Sequence, residues 1–120
     1  IDCADPVDCP FGIPPCDAAA NDECDGATLI DVSAGAGTYS AFFDTTLASD
    51  SAYPAPAIPC AVLGALAYDV WFEFTPTVDA VAEIHTCGVA GDLDTDLVVF
   101  EGDDCTALTE VACNGDAVIL

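Results

Sequence analysis

No Lys or Arg occurs anywhere in a chain of 120 residues that carries 22 Asp and Glu. With its single His neutral, the formal charge is −22. No carboxylate can therefore meet a basic side chain of its own chain. Each must be solvated, accept hydrogen bonds from N–H and O–H groups, or be neutralised from outside. A hard divalent cation held by oxygen ligands is the simplest outside agent, and calcium is the first candidate. Self-repulsion of this size opposes compaction, so the fold needs an offsetting device.

The same charge narrows the partners. Nucleic acid and anionic membrane surfaces are excluded, because both are bound through Lys and Arg. Cations, basic proteins, neutral glycans and further copies of the chain remain. Hydrophobic residues make up 53% of the sequence, which sets it apart from a disordered acidic tail. The length suits one domain, and no apolar run reaches the roughly 20 residues of a membrane span. Ile1-Asp2-Cys3 has neither an initiator Met nor a signal-like start, and reads as a processed or excised segment.

Eight cysteines (Cys3, Cys9, Cys16, Cys24, Cys60, Cys87, Cys105 and Cys113) contain no C-x-x-C pair, and His85 is the only histidine. Zinc-finger and thioredoxin chemistry have no support in that pattern; a disulfide framework does. Such a framework implies an oxidising, extracellular setting, secreted or at the cell surface.

Residues 1–20 carry three of these cysteines and four prolines, and read as a linker or strap. Residues 21–120 read as the folded domain. Short β-prone runs cover Ala27–Ser33 and Thr38–Phe43, followed by an irregular stretch over 44–66. In Ala67–Thr75, Tyr68, Val70, Phe72 and Phe74 alternate with Asp69, Trp71, Glu73 and Thr75, a period of two. Val78–Thr86 alternates in the same way; Leu97–Glu101, Ala107–Ala112 and Ala117–Leu120 are further strand candidates. Only Asp17–Ala20 hints at helix. The spacing predicts an all-β fold, an antiparallel β-sandwich of jelly-roll type stabilised by disulfides.

An ordered set of motifs resembles the secreted bacterial β-sandwich repeats related to pre-peptidase C-terminal domains. The set comprises Asn21-Asp22-Glu23-Cys24 at the domain start, Asp69-Val70-Trp71-Phe72-Glu73-Phe74, Thr86-Cys87-Gly88, Leu93-Asp94-Thr95-Asp96-Leu97, Val99-Phe100-Glu101-Gly102 and Ala112-Cys113-Asn114-Gly115-Asp116. Gly115 stands where the family pattern has Asp. The resemblance spans residues 21–116 and implies a sandwich with further strands beyond the last motif, whereas this sequence stops four residues on. The resulting expectation is an incomplete sandwich completed by a neighbouring subunit, with residues 1–20 of another copy as a candidate donor. The apolar tail Ala117-Val118-Ile119-Leu120 fits a chain fragment or an end that pairs with a second subunit. The resemblance also implies calcium ligands at Asn21 and Asp22, and the Phe43-Asp44-Thr45 turn offers Asp44 as a looser third. Ala18-Ala19-Ala20 stands where relatives have upstream Glu ligands.

Asp92, Asp94 and Asp96 match the first three ligand positions of an EF-hand loop. Leu97 occupies the obligatory glycine position, however, and Asp103 the closing Glu position. An EF-hand is excluded. A different calcium site on these three carboxylates stands beside the plain reading, a solvated turn in which Asp94 and Thr95 bond the backbone.

The sequence has no Lys, no Arg, no G-x-S-x-G nucleophile motif and no companion Ser or Cys motif for its one His, His85, so the chain is read as a non-enzyme. Trp71 fits either core packing or a sugar-binding surface. Position along the chain suggests the pairs Cys105–Cys113, Cys24–Cys60, Cys9–Cys16 and Cys3–Cys87 without deciding among the alternatives. The functional expectation is an extracellular structural module, a subunit or repeat of a surface fibre or adhesive assembly held by disulfides and calcium. It would self-associate as a homopolymer or in tandem. The alternative is an accessory carbohydrate- or substrate-binding module of a secreted hydrolase.

Overall fold

The computed structural model describes residues 19–51, 68–86 and 95–115. Its regular structure is strand, in two small two-stranded sheets, together with a single 3-10 turn at Cys24–Gly26. No α-helix occurs among the described residues. The all-β reading therefore holds, while a complete sandwich is a finer statement than these elements make.

The chain divides into two compact units. In the first, β1 (Thr28–Leu29) pairs in parallel with β2 (Phe72–Glu73), Thr28 opposite Phe72 and Leu29 opposite Glu73. A parallel pair corrects the purely antiparallel expectation. Because some forty residues separate the two strands, the connection is long enough for a parallel crossover. The 3-10 turn immediately before β1 is tight, and Gly26 is required there. A Cβ on Gly26 would lie 2.5 Å from the backbone oxygen of Ala20.

The expected nine-residue strand over 67–75 contracts to the two residues of β2. Tyr68 adopts φ 51°, a left-handed conformation that ends the extended run, and its N–H donates to Asp50 Oδ1 at 3.1 Å. Residues 38–43 form no strand either. There the Tyr39 hydroxyl donates to the Gly35 carbonyl at 2.7 Å, and Phe42 is fully exposed.

In the second unit, β3 (Leu97–Glu101) and β4 (Thr109–Asn114) form an antiparallel hairpin running from Leu97 opposite Asn114 to Glu101 opposite Thr109. A bulge between Val99 and Phe100 shifts the register. Gly102 at the end of β3 has φ 146°, which only glycine accepts readily. Asp104 and Thr106 shape the connecting loop, and Ala107 N–H closes on the Asp104 carbonyl at 2.9 Å.

The predicted strand over 78–86 is reduced to an isolated bridge at Ile84. Ala80 and Ala82 supply too little apolar area to hold that face against a core, and Val78 and Val81 are exposed. The strand candidate at 117–120, most of the 1–20 strap and Asp17 lie outside the described residues.

Cys24, Cys105 and Cys113 are each disulfide-bonded. Cys3, Cys9, Cys16, Cys60 and Cys87 lie outside the described residues.

Candidate functional site

The densest chemistry in the first unit is a knot of hydrogen bonds around Trp71 and two carboxylates. Trp71 N–H donates to the Asn21 carbonyl at 2.8 Å, and the Trp71 carbonyl accepts from Thr28 N–H at 2.9 Å and Asn21 Nδ2 at 3.0 Å. Its indole Nε1–H lies 2.8 Å from Asp69 Oδ2 and 2.9 Å from Ser51 Oγ. Asp69 also accepts the Ser51 N–H on Oδ1 at 2.9 Å and the Ser51 hydroxyl on Oδ2. The carboxylate thus accepts from three donors. Glu23 Oε2 reaches the same hydroxyl from 3.5 Å, at the limit of a hydrogen bond.

Asp22 follows the same rule. It is buried, and its two oxygens accept the backbone N–H and the hydroxyl of Ser49, the latter at 2.7 Å. Burial of an isolated carboxylate is costly, and a pair of charge-assisted hydrogen bonds offsets that cost. Among the described residues no buried side-chain nitrogen or oxygen lacks a partner.

On the surface the device recurs as Asp-x-Ser/Thr. Asp31 Oδ1 accepts Ser33 N–H at 2.9 Å. Asp44 Oδ1 accepts the N–H of Thr46 at 2.8 Å together with its hydroxyl. Asp104 Oδ1 accepts the N–H of Thr106 at 2.9 Å and its hydroxyl at 2.7 Å. In all three, the hydroxyl side chain first and the backbone N–H second hold the carboxyl below its ordinary value of 3.8.

The structure places the sequence-predicted residues unevenly. Asn21 and Asp44 line one open groove of about 290 Å³ together with Ala19, Ala20, Thr28, Phe42, Phe43 and Leu47. Asp22 turns instead to Ser49, with both oxygens engaged. Asp96 is exposed, and Asp92 and Asp94 lie outside the described residues. Among the described residues no three His, Cys, Asp or Glu side chains converge as a metal site.

Reading the sequence missed Ser49, Ser51 and Asp69 as members of the knot. The Asp69-x-Trp71 spacing on one strand face was the available signal, but nothing local pointed to Ser51, 18 residues earlier. No protein family, curated protein or solved structure compared with the chain matches it. No helix among the described residues is long and apolar enough to cross a membrane.

Proposed function

We propose that the chain is a non-enzymatic, extracellular structural module that works by associating with further copies of itself. The observation that carries this reading is the distribution of apolar side chains. Among the described residues Ala48 is the one buried hydrophobic residue, whereas Leu29, Phe42, Tyr68, Val81 and Val111 are more than half exposed. Exposed apolar surface of this kind is what association covers. The two short sheets have the same need, because a two-stranded sheet is marginal alone and gains from an added strand.

The disulfides and the cysteine count support an oxidising location. The ordered motifs that resemble those of secreted bacterial β-sandwich repeats support a sandwich completed between copies. Calcium is the cation this reading calls on, for the carboxylates that no Ser, Thr or backbone N–H engages. Trp71 acts as an internal anchor here, because its indole N–H is spent on Asp69 and Ser51.

Sedimentation velocity at micromolar concentration, with and without calcium, tests the proposal. Oligomers that grow with concentration and shrink on chelation are expected, with filaments in electron micrographs. A monodisperse monomer under both conditions would overturn it.

A further inference from the structure

The groove of the first unit has a chemistry that self-association leaves unused. Its walls are apolar, with Phe42, Phe43, Leu47 and Ala20, and its polar side chains include Asn21 and Asp44. Each of these two is tethered through one atom. Asn21 Nδ2 donates to the Trp71 carbonyl, and Asp44 Oδ1 accepts from Thr46. The other polar atom of each, the amide oxygen Oδ1 of Asn21 and the carboxylate oxygen Oδ2 of Asp44, remains as an acceptor held in place. Such a groove asks its occupant for hydrogen-bond donors and for a body that tolerates aromatic contact.

We infer that this groove receives an arginine side chain from a segment of a different protein. A guanidinium supplies planar donors for the two oxygens and stacks on a phenylalanine ring. The field of a chain with charge −22 favours such a cation, and a copy of this chain cannot supply it, having no Lys or Arg. The volume of about 290 Å³ lies just under the roughly 300–1,000 Å³ of drug-sized ligand sites, which suits one side chain. Calcium fits less well, since it seeks six to eight oxygens and these walls are mostly carbon.

Titration calorimetry on the full chain at an ionic strength of about 0.15 M tests the inference. The probe is acetyl-Gly-Leu-Arg-Leu-Gly-amide, compared with the same peptide carrying citrulline, which keeps the shape and loses the charge. Saturable binding of the arginine peptide is expected, about tenfold tighter than the citrulline peptide. Asp44→Asn keeps the acceptor for Thr46 and should weaken binding about tenfold; Phe42→Ala, at a fully exposed residue, should weaken it about threefold. Asp31→Asn, in a matching turn elsewhere, should leave binding within about twofold.

No saturable heat at millimolar peptide would overturn the inference, and so would equal affinity for the citrulline peptide. Equal losses from Asp31→Asn and Asp44→Asn would reduce it to attraction by a polyanion. Millimolar calcium abolishing the binding through Asp44 would reassign the groove to an inorganic cation.

Discussion

The polar knot around Trp71 and the β3–β4 hairpin solve the same problem by opposite means. The hairpin satisfies its backbone locally, with five paired positions running along two strands joined by a short loop. Among its described residues the first unit has two paired positions in its sheet, and side-chain hydrogen bonds supplement the backbone ones. Asp22 reaches across 27 residues to Ser49, Ser51 reaches 18 residues to Asp69, and Asn21 reaches 50 residues to Trp71. In a chain without Lys or Arg, carboxylates that would elsewhere form ion pairs become acceptors for hydroxyls and backbone N–H groups. The difference shows that high negative charge need not exclude carboxylates from the interior. It requires that Ser and Thr be placed to meet them.

The largest effect should come from Asp69→Ala, which strands the Ser51 N–H, the Ser51 hydroxyl and the Trp71 indole N–H. A loss of about 2–4 kcal/mol is expected in urea unfolding followed by the fluorescence of Trp71, the single tryptophan. A change below about 0.5 kcal/mol would mean that water replaces the carboxylate freely. Gly26→Ala should follow, at about 1–3 kcal/mol in the same assay, because the clash is with a backbone oxygen that cannot move aside.

For the hairpin, Gly102→Ala should cost about 1–2 kcal/mol, read from thermal melts by circular dichroism. Part of that cost is conformational, from φ 146°, and part is a Cβ 2.9 Å from Leu108 Cδ2, the yielding end of a side chain. An unchanged melting temperature would show that the turn tolerates a different geometry.

The smallest effects belong to the exposed turns at Asp31, Asp44 and Asp104. Their carboxyls titrate below 3.8 because the folded chain donates hydrogen bonds to the ionised form. A lowered folded value means stability that is present above pH 3.8 and lost as pH falls through the folded values. Carbon-13 NMR of the Asp carboxyls should show these three titrating below the model-peptide value. Replacing Ser33, Thr46 or Thr106 by Ala should return the neighbouring Asp toward it, and no return would detach the shift from the hydroxyl.

Legibility from sequence followed the same division. The hairpin was readable because Leu97–Glu101 is a compact apolar run and its partner lies a short loop away, so local pattern and pairing agree. The first unit was not, because alternation over Ala67–Thr75 marked two faces without showing that Asp69 and Trp71 turn toward Ser51. Alternation over Val78–Thr86 misled for a different reason. Ala80 and Ala82 satisfy the pattern but carry little area, and a strand forms only where burial or a ladder rewards it. For the candidate site, the entry motif brought Asn21 to attention and the Phe43-Asp44-Thr45 turn brought Asp44, and both line one groove. It also named Asp22, which the fold commits to Ser49, a contact that nothing near Asp22 in sequence announces.

Hydrogen exchange at individual amides tests the central claim, that the buried Asp22 and the half-buried Asp69 take the place of ion pairs in holding the first unit together. The Ser49 and Ser51 N–H groups donate to Asp22 and Asp69, while the Ser33, Thr46 and Thr106 N–H groups donate to exposed carboxylates. At neutral pH, Ser49 and Ser51 should exchange at least about a hundredfold more slowly than the three turn amides, as expected for amides opened only by larger unfolding. Asp69→Ala should release Ser51. Exchange of Ser49 and Ser51 at the rate of the turn amides in the unaltered protein would contradict the account.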